Sequence, residues 1–116
     1  MPNPVVHFEV VSKDREAIQK FYSALFDWKL DTNYPDSYGM VDAGDEGIAG
    51  GIGGTVDGAP GHATFYVQVK NLQESLDRAE SLGGKTVMPP LEIPDMVKMA
   101  LFTDPDGNVI GLVEER

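Results

Sequence analysis

The chain has 116 residues, a single-domain length at which folding withdraws about two-thirds of the extended chain's surface from water, so one core suffices without a disulfide or metal. Nineteen acidic residues against nine basic ones give a formal charge of −10, which repels phosphate backbones and anionic headgroups; nucleic acid and membrane are not expected partners. Cysteine is absent, which excludes disulfides, thiolate metal sites and a cysteine nucleophile, and the sequence shows neither a signal peptide nor a membrane span, so a cytoplasmic protein is expected.

Val5 to Val10 alternates, with Val6, Phe8 and Val10 on one side and Val5, His7 and Glu9 on the other, the period of a half-buried strand. Ser12-Lys13-Asp14 starts a helix whose Ala17, Ile18, Phe21, Tyr22 and Leu25 form one apolar stripe, expected to cover the Val6/Phe8 side. Trp28 to Thr32 and Tyr38 to Asp42 read as short strands divided by the Asn33-Tyr34-Pro35-Asp36 turn, and Gly47 to Thr55 as a weaker third. Val56 to Gly61 has linker composition.

The second half repeats the order. His62 to Val69 alternates, with Ala63, Phe65, Val67 and Val69 opposite His62, Thr64, Tyr66 and Gln68. Asn71 followed by Glu74 predicts a capping box for a helix with Leu72, Leu76, Ala79 and Leu82 as its stripe and Gly83-Gly84 as its stop. Lys85 to Met88, Val97 to Thr103 and Asn108 to Glu114 are the predicted strands, the last two joined by the turn Asp104-Pro105-Asp106-Gly107. Pro89 to Met96 is too rich in proline for a central strand and reads as an edge or loop.

Phe8 and Phe65, Val10 and Val67, Lys13 and Lys70, and Leu25 and Leu82 each stand 57 residues apart. The fold class is therefore α+β: two βαβββ modules, residues 1–57 and 58–116, in one domain with a shared interior, since neither copy can bury its strand face and helix stripe alone. His7 falls on Thr64 in this register.

The duplicated order, HFEVV near the start, FYSALFDW in the first helix and FTDPDGNVIGLVEE at the end together resemble the vicinal oxygen chelate superfamily, the glyoxalase, bleomycin-resistance and extradiol-dioxygenase group. The resemblance covers essentially the whole chain and implies two curved half-barrels of mixed sheet, helices on the convex side, a ligand pocket on the concave side, and a homodimer. Metal-using members hold a divalent ion through one residue on the first strand and one on the last strand of each copy. His7 matches the first of these positions. The others fall on Thr64, on Gly111, and within Ala49-Gly50-Gly51, none of which supplies a good donor, so no metal cofactor is expected.

Substitutes are few. His62 is displaced from Thr64 by roughly 7 Å along the strand, Glu114 is an odd three residues from Gly111 and points to the other side, and Glu9 shares His7's side and can pair with it. His7 and Glu9 are the candidate proton-transfer groups. The ligand-lining candidates are His7, Glu9, His62, Thr64, Tyr66, Gln68, Met99 and Gly111, with Met88, Met96 and Met99 as an adaptable rim or as core filler.

The Gly47 to Gly54 run lacks P-loop and Rossmann spacing, and serves either an enlarged pocket or a close dimer contact. No serine stands in a nucleophile elbow. The leading expectation is metal-independent binding of a small, partly apolar organic molecule, as in a sequestering or resistance protein. The alternative is a divalent-metal-dependent lyase, isomerase or dioxygenase of the glyoxalase type using His7.

Overall fold

The computed structural model describes residues 2–42, 44–55, 58–94 and 97–115. They form β1 (Val5–Ser12), α1 (Arg15–Phe26), β2 (Leu30–Asp31), β3 (Gly39–Val41), β4 (Gly50–Gly54), β5 (His62–Val69), α2 (Leu72–Ser81), β6 (Lys85–Ile93), β7 (Val97–Thr103) and β8 (Val109–Glu114). The α+β class and the repeated βαβββ order are those the sequence implies. Two compact units result, residues 7–63 and residues 64–116 together with 1–6.

In the N-terminal unit the strand order is β2-β3-β4-β1, with β1 parallel to β4 and the other pairs antiparallel. Asp14 caps α1 by accepting the Ala17 amide at 3.1 Å, so the helix begins where the Ser12-Lys13-Asp14 signal places it. The apolar stripe is only half used. Phe21 and Leu25 stand 55% and 58% exposed, and the one buried residue of the helix is the polar Gln19. Packing here is aromatic: Trp28 lies 5.4 Å from Phe8, 5.8 Å from Tyr22 and 5.0 Å from Phe26 between ring centroids.

In the C-terminal unit the order is β5-β8-β7-β6, with β5 parallel to β8 and the remaining pairs antiparallel. Asn71 accepts the Glu74 amide at 3.0 Å, realising the predicted cap, and Gly83 takes a φ of 102° at the helix stop. Helix α2 lays Leu72 and Leu76 on Val69, Ala100 and Leu112, with Val67 and Phe102 at the margin, as a closed aliphatic core. Burial of each large side chain contributes about 1.5–3 kcal/mol.

The Pro89-Pro90 pair does not end β6, which runs on to Ile93. It is an edge strand, where a missing amide donor is tolerated, and its register with β7 breaks between Thr86 and Met88 and again between Met88 and Leu91. Met96, like the Val56-Asp57 start of the predicted linker, lies outside the described residues. The turn before β8 is locked by Asp104, whose carboxylate accepts the Asp106 and Asn108 amides at 2.9 and 3.0 Å and the Asn108 side chain at 2.9 Å. These bonds, those from Asn108 foremost, hold its pKa below the ordinary aspartate value.

No helix among the described residues is long and apolar enough to cross a membrane.

Candidate functional site

Sheet register decides which side chains meet. On the parallel β1/β4 ladder Glu9 stands opposite Gly51, and on the equivalent β5/β8 ladder Tyr66 stands opposite Gly111. Glu9 and Tyr66 are themselves 57 residues apart, so Gly51 is the counterpart of Gly111 and no two-residue slip is needed. Strand alternation turns Phe8 and Val10 to one face and His7, Glu9 and Val11 to the other.

A residue that sequence reasoning missed completes this second face. Tyr38 follows a short 3-10 turn, Pro35–Ser37, in which Asp36 and Ser37 both take the left-handed conformation, with φ of 58° and 55°. For L-residues this costs about 1–2 kcal/mol each, so the turn persists because other contacts hold it. Gln19 supplies them. Its Nε2 donates to the Ser37 carbonyl at 3.0 Å and to the Ile52 carbonyl at 2.8 Å, while Arg15 donates to its Oε1 at 3.2 Å. A buried polar residue on α1 thus ties the turn to β4 and aims Tyr38.

The ring of Tyr38 lies over β4. A Cβ built on Gly51 would overlap its hydroxyl end, and one built on Gly53 would stand 2.7 Å from Cδ1. Gly50 is likewise overlain on the other face, by Phe8. Within this unit the glycine run has a third use beside the pocket and dimer contact expected of it. It lets aromatic rings of the same unit lie directly on backbone.

The Tyr38 hydroxyl bridges the two candidate residues of β1. It donates to Glu9 Oε1 at 2.9 Å and lies 3.0 Å from His7 Nε2. With the one phenol proton given to Glu9, the contact to His7 is a hydrogen bond when Nε2 carries a hydrogen and donates it to the phenol oxygen. Burial holds the His7 pKa below 6.5 and favours the neutral imidazole. The His7 and Tyr38 rings are near parallel, 6.4 Å apart at 21°. Glu9 and His7 therefore pair through a phenol, a link invisible in the local sequence because Tyr38 is 29 and 31 residues away.

The C-terminal unit gathers several of the other candidates on the face away from α2. Tyr66 overlies Gly111, filling the space a side chain there would need. Gln68 and Met99 both register with Val113, one row along. Thr64 is buried, and its hydroxyl donates to the Val109 carbonyl at 2.6 Å. His62 stands exposed at the start of β5. Glu114 turns to the helix side, where its Oε2 accepts the Leu72 amide at 3.4 Å.

The residues at the positions where the family resemblance implies metal ligands do not form a full donor set. Positions 51 and 111 offer no donor, and tyrosine rings occupy the space a donor side chain there would need. The Thr64 hydroxyl is engaged with backbone. Among the described residues no group of three or more histidines and carboxylates is placed to hold an ion.

Paired βαβββ units with a polar group on the first strand and a parallel first-to-last strand ladder define a class of fold before any sequence is compared. The chain belongs to the Glyoxalase/Bleomycin resistance protein/Dioxygenase superfamily, which it matches over residues 5–112. It is 31% identical over 111 residues to the Mycobacterium tuberculosis protein named "Putative glyoxylase CFP32", covering 90% of this chain and 42% of that protein. It is 26% identical over 128 residues to the anthracycline biosynthesis protein DauV of Streptomyces sp. strain C5, covering 96% of this chain and 46% of DauV. The chain spans less than half the length of these relatives. Among solved structures, methylmalonyl-CoA epimerase from Mycobacterium tuberculosis superposes with a TM-score of 0.71 at 14% identity, covering 97% of this chain and 87% of the other. A superfamily member from Vibrio splendidus 12B01 gives 0.64 at 14% identity, covering 98% and 100%. At such identity the structural likeness is one of fold.

Proposed function

We propose that the chain is a cytoplasmic protein that binds a small, partly apolar organic molecule without a metal, using the β1/β4 face of the N-terminal unit with His7 and Glu9 as its polar contacts. The observation that carries this reading is the Tyr38 hydroxyl, which lies where a side chain at position 51 would project and joins His7 to Glu9. A neutral imidazole, a carboxylate and aromatic rings on a glycine floor suit an uncharged organic ligand better than a cation cage. Within the C-terminal unit taken by itself, Thr64, Tyr66, Gln68, Met99 and Gly111 are proposed as ligand-contacting residues, and exposed His62 at the start of β5 is kept as a further candidate. A homodimer is the proposed assembly. The relative named for anthracycline biosynthesis agrees with an organic ligand.

The test is a small-molecule screen by thermal shift, paired with native mass spectrometry of protein purified without chelator. The expected result is a stoichiometric ligand whose affinity falls at least tenfold in His7→Ala. A stoichiometric transition metal lost in the same variant would overturn the reading.

One observation favours a second reading, in which the chain is an enzyme. The continuous hydrogen-bonded run His7, Tyr38, Glu9 is a path for a proton as well as a set of binding contacts. That reading, a divalent-metal-dependent lyase, isomerase or dioxygenase of the glyoxalase type using His7, requires turnover of an organic substrate that disappears in both His7→Ala and Glu9→Gln.

A further inference from the structure

We propose that Tyr38 is an internal occupant of the ligand site, and that the molecule it stands in for is an uncharged phenol, which binds by taking over Tyr38's place between His7 and Glu9. This inference rests on the binding reading above and names its ligand class.

The shape of the place comes first. A flat ring lies on bare backbone at Gly51 and Gly53, and a Cβ at either position would collide with it. Such a floor accepts a planar group laid against the backbone.

The chemistry narrows the class. The group at the far end of the ring must accept a proton from His7 Nε2–H and give one to the Glu9 carboxylate, at 3.0 and 2.9 Å. A hydroxyl does both. An ether accepts without donating, a protonated amine donates without accepting, and a carboxylate or phosphate brings a second negative charge to Glu9 with no proton to share. The formal charge of −10 disfavours anions further.

The backbone supplies the means of exchange. Tyr38 is partly exposed and is delivered by two successive left-handed residues, Asp36 and Ser37, whose conformation relaxes if the turn lets go. The Gln19 bond to the Ser37 carbonyl at 3.0 Å is the latch that holds the turn in. Withdrawal of Tyr38 gives up its hydrogen bonds to His7 and Glu9, which an incoming phenol restores, and releases the strain of the turn. Ligand affinity is then reduced by the fraction of molecules in which Tyr38 is in place.

The full chain tests this with 4-methylphenol, the side chain of tyrosine as a free molecule, and with 4-methylanisole and 4-methylbenzoate as controls, by titration calorimetry. The expected results are that Tyr38→Ala binds 4-methylphenol at least tenfold more tightly than wild type does, and that the anisole and benzoate bind it at least tenfold more weakly than the phenol. Equal binding of phenol and anisole, or no binding of either to folded Tyr38→Ala, overturns the proposal. Should Tyr38→Ala fail to fold, Gln19→Ala carries the test: loosening the latch should tighten 4-methylphenol binding several-fold over wild type, and an unchanged or weaker affinity overturns it. A screened ligand that needs His7 yet leaves the Gly51 and Gly53 amide resonances unmoved would sink this inference while leaving the binding reading intact. Absence of any ligand that depends on His7 would sink the binding reading itself.

Discussion

The two units share one plan and fill it differently. The C-terminal unit seals α2 against its sheet with Val69, Leu72, Leu76, Ala100 and Leu112, and its first-strand polar position, Thr64, is spent on a backbone carbonyl. The N-terminal unit leaves half of its helix stripe exposed, buries a glutamine instead, and spends two left-handed residues on presenting one tyrosine to a histidine and a glutamate. The difference teaches that duplication allowed a division of labour. The C-terminal copy closes an aliphatic core under its helix, and the N-terminal copy carries the left-handed turn and the buried glutamine that holds it.

The largest expected effect tests that division directly. Leu76 is 1% exposed in the C-terminal core, so Leu76→Ala should destabilise the chain by about 3 kcal/mol, from lost transfer energy and a cavity. Phe21 is 55% exposed in the N-terminal unit, and Phe21→Ala should cost less than about 1 kcal/mol despite removing more carbon. Urea denaturation measures both. Equal losses would break the comparison.

A finer contrast lies in the two glycines under tyrosine rings. Tyr66 stands within β5, paired to Gly111 itself, so an added methyl at 111 has no ring able to step aside. Tyr38 instead follows a turn, and the exchange proposed above has it withdraw. Gly111→Ala should therefore cost about 2–3 kcal/mol of overpacking, and Gly51→Ala about 1 kcal/mol with Tyr38 withdrawn from His7. Denaturation gives the energies and the His7 imidazole resonances report the withdrawal; a Gly51→Ala loss as large as that of Gly111→Ala would show that Tyr38 is as fixed as Tyr66.

The plan of the fold was legible because each element carries a local signal: the Asp14 and Asn71 caps, the alternation of Val5 to Val10 and His62 to Val69, and the Asp104 turn all act within a few residues. His7 and Glu9 were legible as a pair because two residues on one strand share a face. Tyr38 was not. Its role depends on a turn whose left-handed residues are not glycines, on a helix glutamine that periodicity assigns to no function, and on contacts 29 and 31 residues away. One signal was present in the glycines at 50, 51 and 53, since side chains missing on both faces of a strand call for rings to cover it. The edge reading of the proline run was legible as well, and only the continuation of β6 past Met88 to Ile93 was not, because whether proline ends a strand depends on what lies beside it.

The smallest expected effect is in the pH dependence of stability, and its sign follows from burial. The folded chain holds the His7 pKa below 6.5, so the imidazole is neutral in the fold where an unfolded chain would begin to bind a proton. Above pH 6.5 both states are neutral at this position and His7 leaves stability unchanged with pH. As pH falls through 6.5 the unfolded chain takes up the proton first, stability declines, and the decline stops once the pH passes below the folded pKa. Asp104 moves the same way at lower pH, since its depressed pKa contributes stability above the ordinary aspartate value that is lost as pH falls through the folded one. Replacing His7 by Gln should therefore flatten the stability profile just below pH 6.5 and leave the acidic limb of Asp104 in place. If the slope just below 6.5 survives the substitution, His7 is not the group held neutral, and the tautomer that ties it to Tyr38 loses its support.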